Sequence, residues 1–314
     1  MRIAFMGTPE FAVPSLETLL KSGDPVVGIV TQPDRPKGRG QRLSSSPVKV
    51  IAQREHLPLL QPTKMKDAQF MAELAGWKPD VVVVAAFGRI LPPAILSLPP
   101  RGCINVHGSL LPKYRGAGPI QWALINGETE TGITTMLMDE GMDTGAILLQ
   151  EATTISADDT AGTLSLRLAE LGGRLLARTL AQLKAGTLKS KPQDESQATL
   201  APLLKKEDGA IDWNAPAASI ANRIRGLTPW PGAFTFLKSE RWMIYRADAI
   251  QEATTSLAPG LVTAVTKEAI HVATGKGVLR IRELQPAGSR RMPAEQYLAG
   301  HPLQVGMHLT RSAA

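Results

Sequence analysis

A chain of 314 residues exceeds the usual size of a single domain, so two separate cores are expected. No uninterrupted apolar run reaches the roughly 18 residues that span a bilayer, and the lone Cys103 cannot form an internal disulfide. Helical membrane proteins and disulfide-stapled scaffolds are thereby excluded, while a net charge of +7 and a sequence pI of about 9.6 favour a polyanionic partner.

Residues 2–6 read as a short apolar strand without the longer apolar stretch of a secretory signal, so a cytoplasmic address is expected. The turn Gly7-Thr8-Pro9-Glu10 that follows lacks both the three spaced glycines of a dinucleotide site and the Lys-Ser/Thr ending of a P-loop. Nicotinamide and ATP chemistry are therefore disfavoured. Apolar residues at helical spacing predict a helix over 11–21, stopped by Gly23, and residues 25–31 predict the next strand. Arg35, Lys37, Arg39 and Arg42 then lie on a segment whose prolines and glycines oppose helix or regular strand. An exposed basic loop is expected there, on the side where parallel sheets bind ligands; a solvated charged loop is the alternative from composition.

Four consecutive valines within 80–86 predict a central strand buried on both faces. In the loop after it, Phe87, Ile90 and Leu91 suit packing at the loop base as well as ligand contact. Residues 102–107 form another strand, 131–138 and 147–155 two more, and 158–185 a long helix with Ser156 and Asp159 at capping-box spacing. Strands alternating with helices predict a parallel sheet covered by helices, an α/β fold. Residues 189–202 are polar and broken by proline, and read as a linker. Beyond them a helix within 211–226 and short strands at 233–237, 242–245, 260–265, 269–273 and 278–284 predict a small barrel. Arg223, Arg225, Arg280, Arg282, Arg290 and Arg291 are its candidates for a nucleic-acid-facing surface.

The densest chemistry lies where the strand over 102–107 ends. Alternation along it points Asn105 and His107 to the same side, and Asp143 can approach from the loop after 131–138. Attack of an amine on a carbonyl builds charge on the carbonyl oxygen and requires a proton to leave the amine. An amide donor and an imidazole suit the first need, and a carboxylate suits the second while favouring the charged imidazole. No nucleophile accompanies the trio, which argues for direct transfer between two bound substrates. The five histidines do not cluster with the cysteine, so no metal is expected.

The string Asn105-x-His107-Gly108-Ser109-Leu110-Leu111-Pro112-x-Tyr114-Arg115-Gly116, with Asp139-x-Gly141-x-Asp143-Thr144-Gly145, resembles the signature of the folate-dependent formyltransferases. Similar motifs continue as Phe5-x-Gly7-Thr8-Pro9-Glu10, Gln32-Pro33-Asp34-Arg35-Pro36, Ser46-Pro47-Val48-Lys49, Ile211-Asp212-Trp213 and Pro229-Trp230-Pro231. Together they resemble the branch of that family that acts on initiator methionyl-tRNA, and they cover nearly the whole chain. The resemblance implies a Rossmann-like parallel-sheet formyltransferase domain over 1–188, a linker over 189–205 and a smaller OB-type β-barrel domain over 206–314 that binds tRNA. It implies catalytic roles for Asn105, His107 and Asp143. It also implies 10-formyltetrahydrofolate as formyl donor, enclosed by Phe87, Gly88, Ile90, Leu91 and Asp139 and by Ser109, Leu110, Leu111 and Pro112. Initiator methionyl-tRNA is the implied partner, with Arg39 the foremost contact and Arg35, Lys37 and Arg42 behind it, and a monomer is expected. Three alternatives stay open: an amino sugar nucleotide as acceptor, glycinamide ribonucleotide as acceptor, and a tRNA-binding protein without catalysis.

Overall fold

Strand β1 (Ile3–Gly7) is buried along its whole length and sits inside a seven-stranded sheet. The computed structural model describes residues 1–37, 42–250 and 257–313, and they divide into two units. The first unit comprises Met1–Pro119, Glu130–Thr154 and Ser165–Pro202; the second comprises Ile120–Thr129, Ile155–Leu164 and Leu203–Ala314.

In the first unit β1 pairs in parallel with β2 (Val26–Val30). After β2, a ribbon of two three-residue strands, β3 (Arg35–Lys37) and β4 (Arg42–Ser44), stands apart from the main sheet. No regular strand was expected there. Pro36 is tolerated because a two-stranded ribbon leaves an edge on which a missing donor costs no ladder bond. The helix α1 (Val13–Lys21) precedes β2, and α2 (Pro47–Arg54) follows β4, where the Ser46 hydroxyl accepts from the Lys49 amide at 3.0 Å.

The sheet continues with β5 (Leu59–Leu60), β6 (Val81–Ala85), β7 (Cys103–His107), β8 (Glu130–Leu137) and β9 (Ile147–Thr154), in the spatial order β5-β2-β1-β6-β7-β8-β9. The valine strand β6 is buried throughout, as its continuous apolar run predicts. Strands β8 and β9 run antiparallel to their neighbours, so the sheet is not parallel to its edge. The short connection over 138–146 explains this for the last pair: it can close a hairpin, whereas a parallel crossover needs a dozen residues or more. Winding proceeds from β1 out to β5 and then restarts at β6 on the other flank of β1. That reversal opens a crevice at the carboxyl ends of β1 and β6.

Further helices are α3 (Ala68–Gly76), α4 (Pro93–Leu96), α5 (Pro119–Ile125), which from Ile120 onward belongs to the second unit, and the long α6 (Ala161–Ala185), which belongs to the first from Ser165. The last begins later than its sequence pattern predicts, because residues 156–159 form a separate turn in which the Asp159 carboxylate accepts from the Ser156 amide at 2.8 Å. Gly172 lets α6 lie close to the strand that carries Asn105 and His107: a Cβ there would sit 2.9 Å from the Val106 side chain. Replacing Gly172 by Ala is expected to lower stability by about 1–3 kcal/mol through overpacking, as measured by urea unfolding.

The second unit contains α7 (Ala217–Leu227), the strands β10 (Ala233–Leu237), β11 (Glu240–Ile250), β12 (Val262–Val265), β13 (Ile270–Ala273), β14 (Val278–Pro286) and β15 (Met292–Pro293), then α8 (Ala294–Gly300) and β16 (Leu309–Thr310). Its antiparallel order is β12-β13-β14-β11-β10-β16. A bridge between Leu261 and His308 brings the two ends of that path together, curling the sheet into a half-barrel. Trp213, Trp242, Ile224, Leu279 and Leu284 fill its core. The Trp213 indole donates to Thr235 Oγ1 at 3.0 Å, which satisfies its buried N–H.

Candidate active site

The strand β7 delivers Asn105 and His107 to one face, as the two-residue period requires, with 9% and 5% of their surfaces exposed. Asp143 meets them from the loop between β8 and β9. Asn105 Nδ2 donates to Asp143 Oδ1 at 3.3 Å, and the Gly116 amide donates to Oδ2 at 2.9 Å. His107 Nδ1 lies 3.6 Å from Oδ2. On the far side of the ring Nε2 lies 2.9 Å from the Tyr114 carbonyl, which can only accept, so Nε2 carries a proton and Nδ1 is the nitrogen turned to the carboxylate. The three side chains singled out from the sequence are thus brought together within one unit.

Backbone conformation at this point is costly. Asp143 has φ 54°, Tyr114 φ 64° and Gly116 φ 117°, and positive φ in residues with a Cβ is held only by surrounding structure. Part of that support is local. Asp139 accepts from the Gly141 amide at 3.1 Å and from Thr144 Oγ1 at 2.7 Å. Gly145 passes so close to the Leu137 carbonyl that a Cβ would lie 1.8 Å from its oxygen. The carboxylate of Asp139 therefore shapes the loop by its own bonds.

Residues to which the sequence reading gave no role complete the frame. Arg115, buried, donates to Gln193 Oε1 at 3.0 and 2.8 Å and to both oxygens of Glu195 at 2.8 and 2.7 Å. Arg115 holds the Glu195 carboxyl below the usual carboxylate range, chiefly by hydrogen bonding. Gln193 Nε2 donates to the carbonyls of Asp143 and Gly145 at 2.7 and 2.8 Å. Thr134, opposite His107 on β8, donates to the Ser109 carbonyl at 2.7 Å and accepts from the Leu111 amide at 3.0 Å. Gln150 donates to Thr134 Oγ1 and to the Leu111 carbonyl, both at 2.9 Å. Threonine in a strand and glutamine in a polar segment carry no sequence signal for such work.

The remaining expected ligand contacts divide by orientation. Phe87 and Leu91 are buried in the apolar core, Leu111 is buried too, and Ser109 is buried with its hydroxyl donating to the Lys113 carbonyl at 2.6 Å. Gly88 is exposed and has φ 73°, Ile90 is 84% exposed, and Leu110 and Pro112 are half-buried. At the crevice between β1 and β6, Gln32 Nε2 donates to the Phe87 carbonyl at 2.8 Å and Thr8 Oγ1 to the same carbonyl at 3.3 Å. Burial pushes the Cys103 thiol up to about 12, so it stays protonated at neutral pH and supplies no nucleophile beside Asn105.

Of the basic loop, Arg35 is exposed. Arg39 lies outside the described residues, as do the side chains of Lys37 and Arg42. The base of the loop is tied down by Asp34, which accepts from Lys49 at 2.6 Å and from Gln61 at 3.0 Å. Those hydrogen bonds, that of Lys49 first, hold the Asp34 carboxyl below the usual range.

The arginines of the second unit are mostly engaged. Arg223 donates to the Asp208 carbonyl at 3.0 and 2.6 Å. Arg225 donates to the carbonyls of Ser156 and Asp159, each at 3.2 Å, and burial lowers its pKa. Both are half-buried and hydrogen-bonded to backbone carbonyls of the second unit. Arg280 and Arg282 share Asp248, and Arg291 pairs with Glu283. Arg290 is exposed. Among the described residues no group of three or more His, Cys, Asp or Glu side chains could hold a metal ion, and no helix is long and apolar enough to cross a membrane.

Residues 1–180 match the formyl transferase family and 203–302 the formyl transferase C-terminal domain. The chain is similar to the methionyl-tRNA formyltransferase of Desulfotalea psychrophila, 53% identical over 300 residues, covering 96% of this chain and 93% of that one. It is 51% identical to that of Citrifermentans bemidjiense over 306 residues, covering 98% and 95%. Among solved structures it is similar in fold to the N-formyltransferase of Helicobacter canadensis in complex with folinic acid and dTDP-3-aminofucose, with TM-score 0.66, 19% identity and coverage of 92% and 99%.

Proposed function

The chain belongs to the methionyl-tRNA formyltransferase family, and from that premise we propose that it moves a formyl group from 10-formyltetrahydrofolate to the amine of methionine on initiator tRNA. The convergence of Asn105, His107 and Asp143 on one face carries the mechanism.

The methionine nitrogen attacks the formyl carbon directly. As the C–N bond forms, negative charge gathers on the formyl oxygen, and Asn105 Nδ2 and protonated His107, through Nδ1, donate to it. Nδ1 lies 3.6 Å from Asp143, longer than a hydrogen bond, so no bond to the carboxylate competes with donation to the substrate oxygen. The Asp143 carboxylate takes the proton released by the amine, directly or through one water. Collapse of the intermediate breaks the bond from the formyl carbon to N10 of the folate, which leaves with a proton returned to it.

Backbone groups of 86–91, 109–112 and 139–143 recognise the folate in this reading, since the Phe87, Leu91, Ser109 and Leu111 side chains face the protein. The basic loop takes the irregular acceptor end of the tRNA, where guanidinium groups pair with phosphates and stack on unpaired bases. Replacing Arg39 by Ala is expected to cost about 1–3 kcal/mol of tRNA affinity and to reduce the salt slope by about 1. Folate affinity should stay unchanged, which equilibrium titration of each ligand measures; equal losses would refute separate sites. An amino sugar nucleotide offered in place of charged tRNA should receive no formyl group, and its formylation would overturn the choice of acceptor.

A further inference from the structure

We propose that residues 191–201 act as a strap over the active site, and that Gln193 is the positioning residue through which the strap holds the Asp143 loop; this rests on the reading of Asp143 as the proton acceptor. The segment was expected to be a linker. It is stitched to both loops that build the site. At one end Lys191 and Ile147 exchange backbone hydrogen bonds at 2.8 Å each, just beyond the Asp143 loop. At the other end the Arg115 amide donates to the Thr199 carbonyl at 2.8 Å and the Ala201 amide to the Arg115 carbonyl at 2.7 Å. Thr199 Oγ1 also accepts from the Tyr114 amide at 2.8 Å, next to the carbonyl that fixes His107.

Gln193 lies between these anchors and uses its whole amide. Its two N–H groups meet the Asp143 and Gly145 carbonyls, and its oxygen accepts twice from Arg115. Only one orientation of the amide satisfies all four bonds. A glutamate of the same shape would turn an acceptor towards two carbonyls. The grip falls on the peptide of a residue held at φ 54°, where an unsupported backbone would relax and carry the carboxylate away from Asn105 and His107. Arg115 completes the chain of bonds from the strap to the loop that carries Tyr114, and Glu195, 71% exposed, closes it at the surface.

The test is a double-mutant cycle on single-turnover transfer and steady-state kinetics in the full-length enzyme. Gln193→Ala should lower kcat by about 10- to 100-fold, the scale of a misplacement near 1 Å, with KM for folate and tRNA unchanged. In an Asp143→Asn background the same substitution should change the rate by less than about twofold, because the positioned group is gone. Gln193→Glu should do no better than Gln193→Ala. Full kcat in Gln193→Ala with an inactive Asp143→Asn would overturn the strap alone. Equal losses from Gln193→Ala in both backgrounds would do the same, since they would mark a general structural role. Wild-type rates in Asp143→Asn would overturn the proton-acceptor reading and the strap with it. Should Gln193→Ala not fold, Glu195→Ala at the exposed end decides: a fall of a few fold in kcat at constant KM is expected, and no change refutes the proposal.

Discussion

Asp143→Asn is expected to slow single-turnover formyl transfer by about 10²- to 10⁴-fold, the range of a positioned general base. The substitution keeps the size of the side chain and an oxygen that can still accept from the Gly116 amide. It removes the negative charge that faces His107 Nδ1, on the carboxylate that bonds both Asn105 and the Gly116 amide. Binding of folate and tRNA should persist, because neither ligand depends on the ionised group. Rapid-quench measurement at saturating substrates isolates the chemical step, and an unchanged rate there would remove Asp143 from the mechanism.

Asn105→Ala and His107→Ala are expected to cost about 2.7–4 kcal/mol each at the transition state, or roughly 10²- to 10³-fold in turnover, as loss of one preorganised oxyanion donor does. Both groups are almost fully buried and fixed before substrate arrives, so little reorganisation is spent during reaction. The two losses should not add, since both donors serve one oxygen. His107→Ala also removes the hydrogen bond from Nε2 to the Tyr114 carbonyl, which costs about 0.5–1.5 kcal/mol of stability. Unfolding curves measured alongside the rates separate that cost from the catalytic one. A rate loss confined to Asn105→Ala would assign the oxyanion to the amide alone.

Legibility in the sequence followed the kind of interaction involved. Strands β1, β6 and β7 were readable because burial on both faces demands continuous apolar runs, and the alternation of Asn105 and His107 in β7 follows from backbone geometry. That Asp143 could approach them from a second loop was readable from the order of the strands, but its catalytic role rested on motif resemblance, since a residue at φ 54° in a loop has no periodicity to betray its direction. Gln193 went unread and Arg115 was quoted only as part of a motif, because their partners are backbone carbonyls and side chains distant in the chain. Residues 189–202 have the composition of a linker, and hydrogen bonds between main chains do not depend on composition. Arg223 and Arg225 show the converse: a cationic side chain counted as surface charge also donates to backbone carbonyls of the second unit.

The most direct measurement is formyl transfer from 10-formyltetrahydrofolate to charged initiator methionyl-tRNA, run beside charged elongator methionyl-tRNA and uncharged initiator tRNA. Formylation confined to the charged initiator is the predicted result. Equal formylation of the elongator, or none of the initiator, would contradict the assignment of substrate on which the account of this site depends.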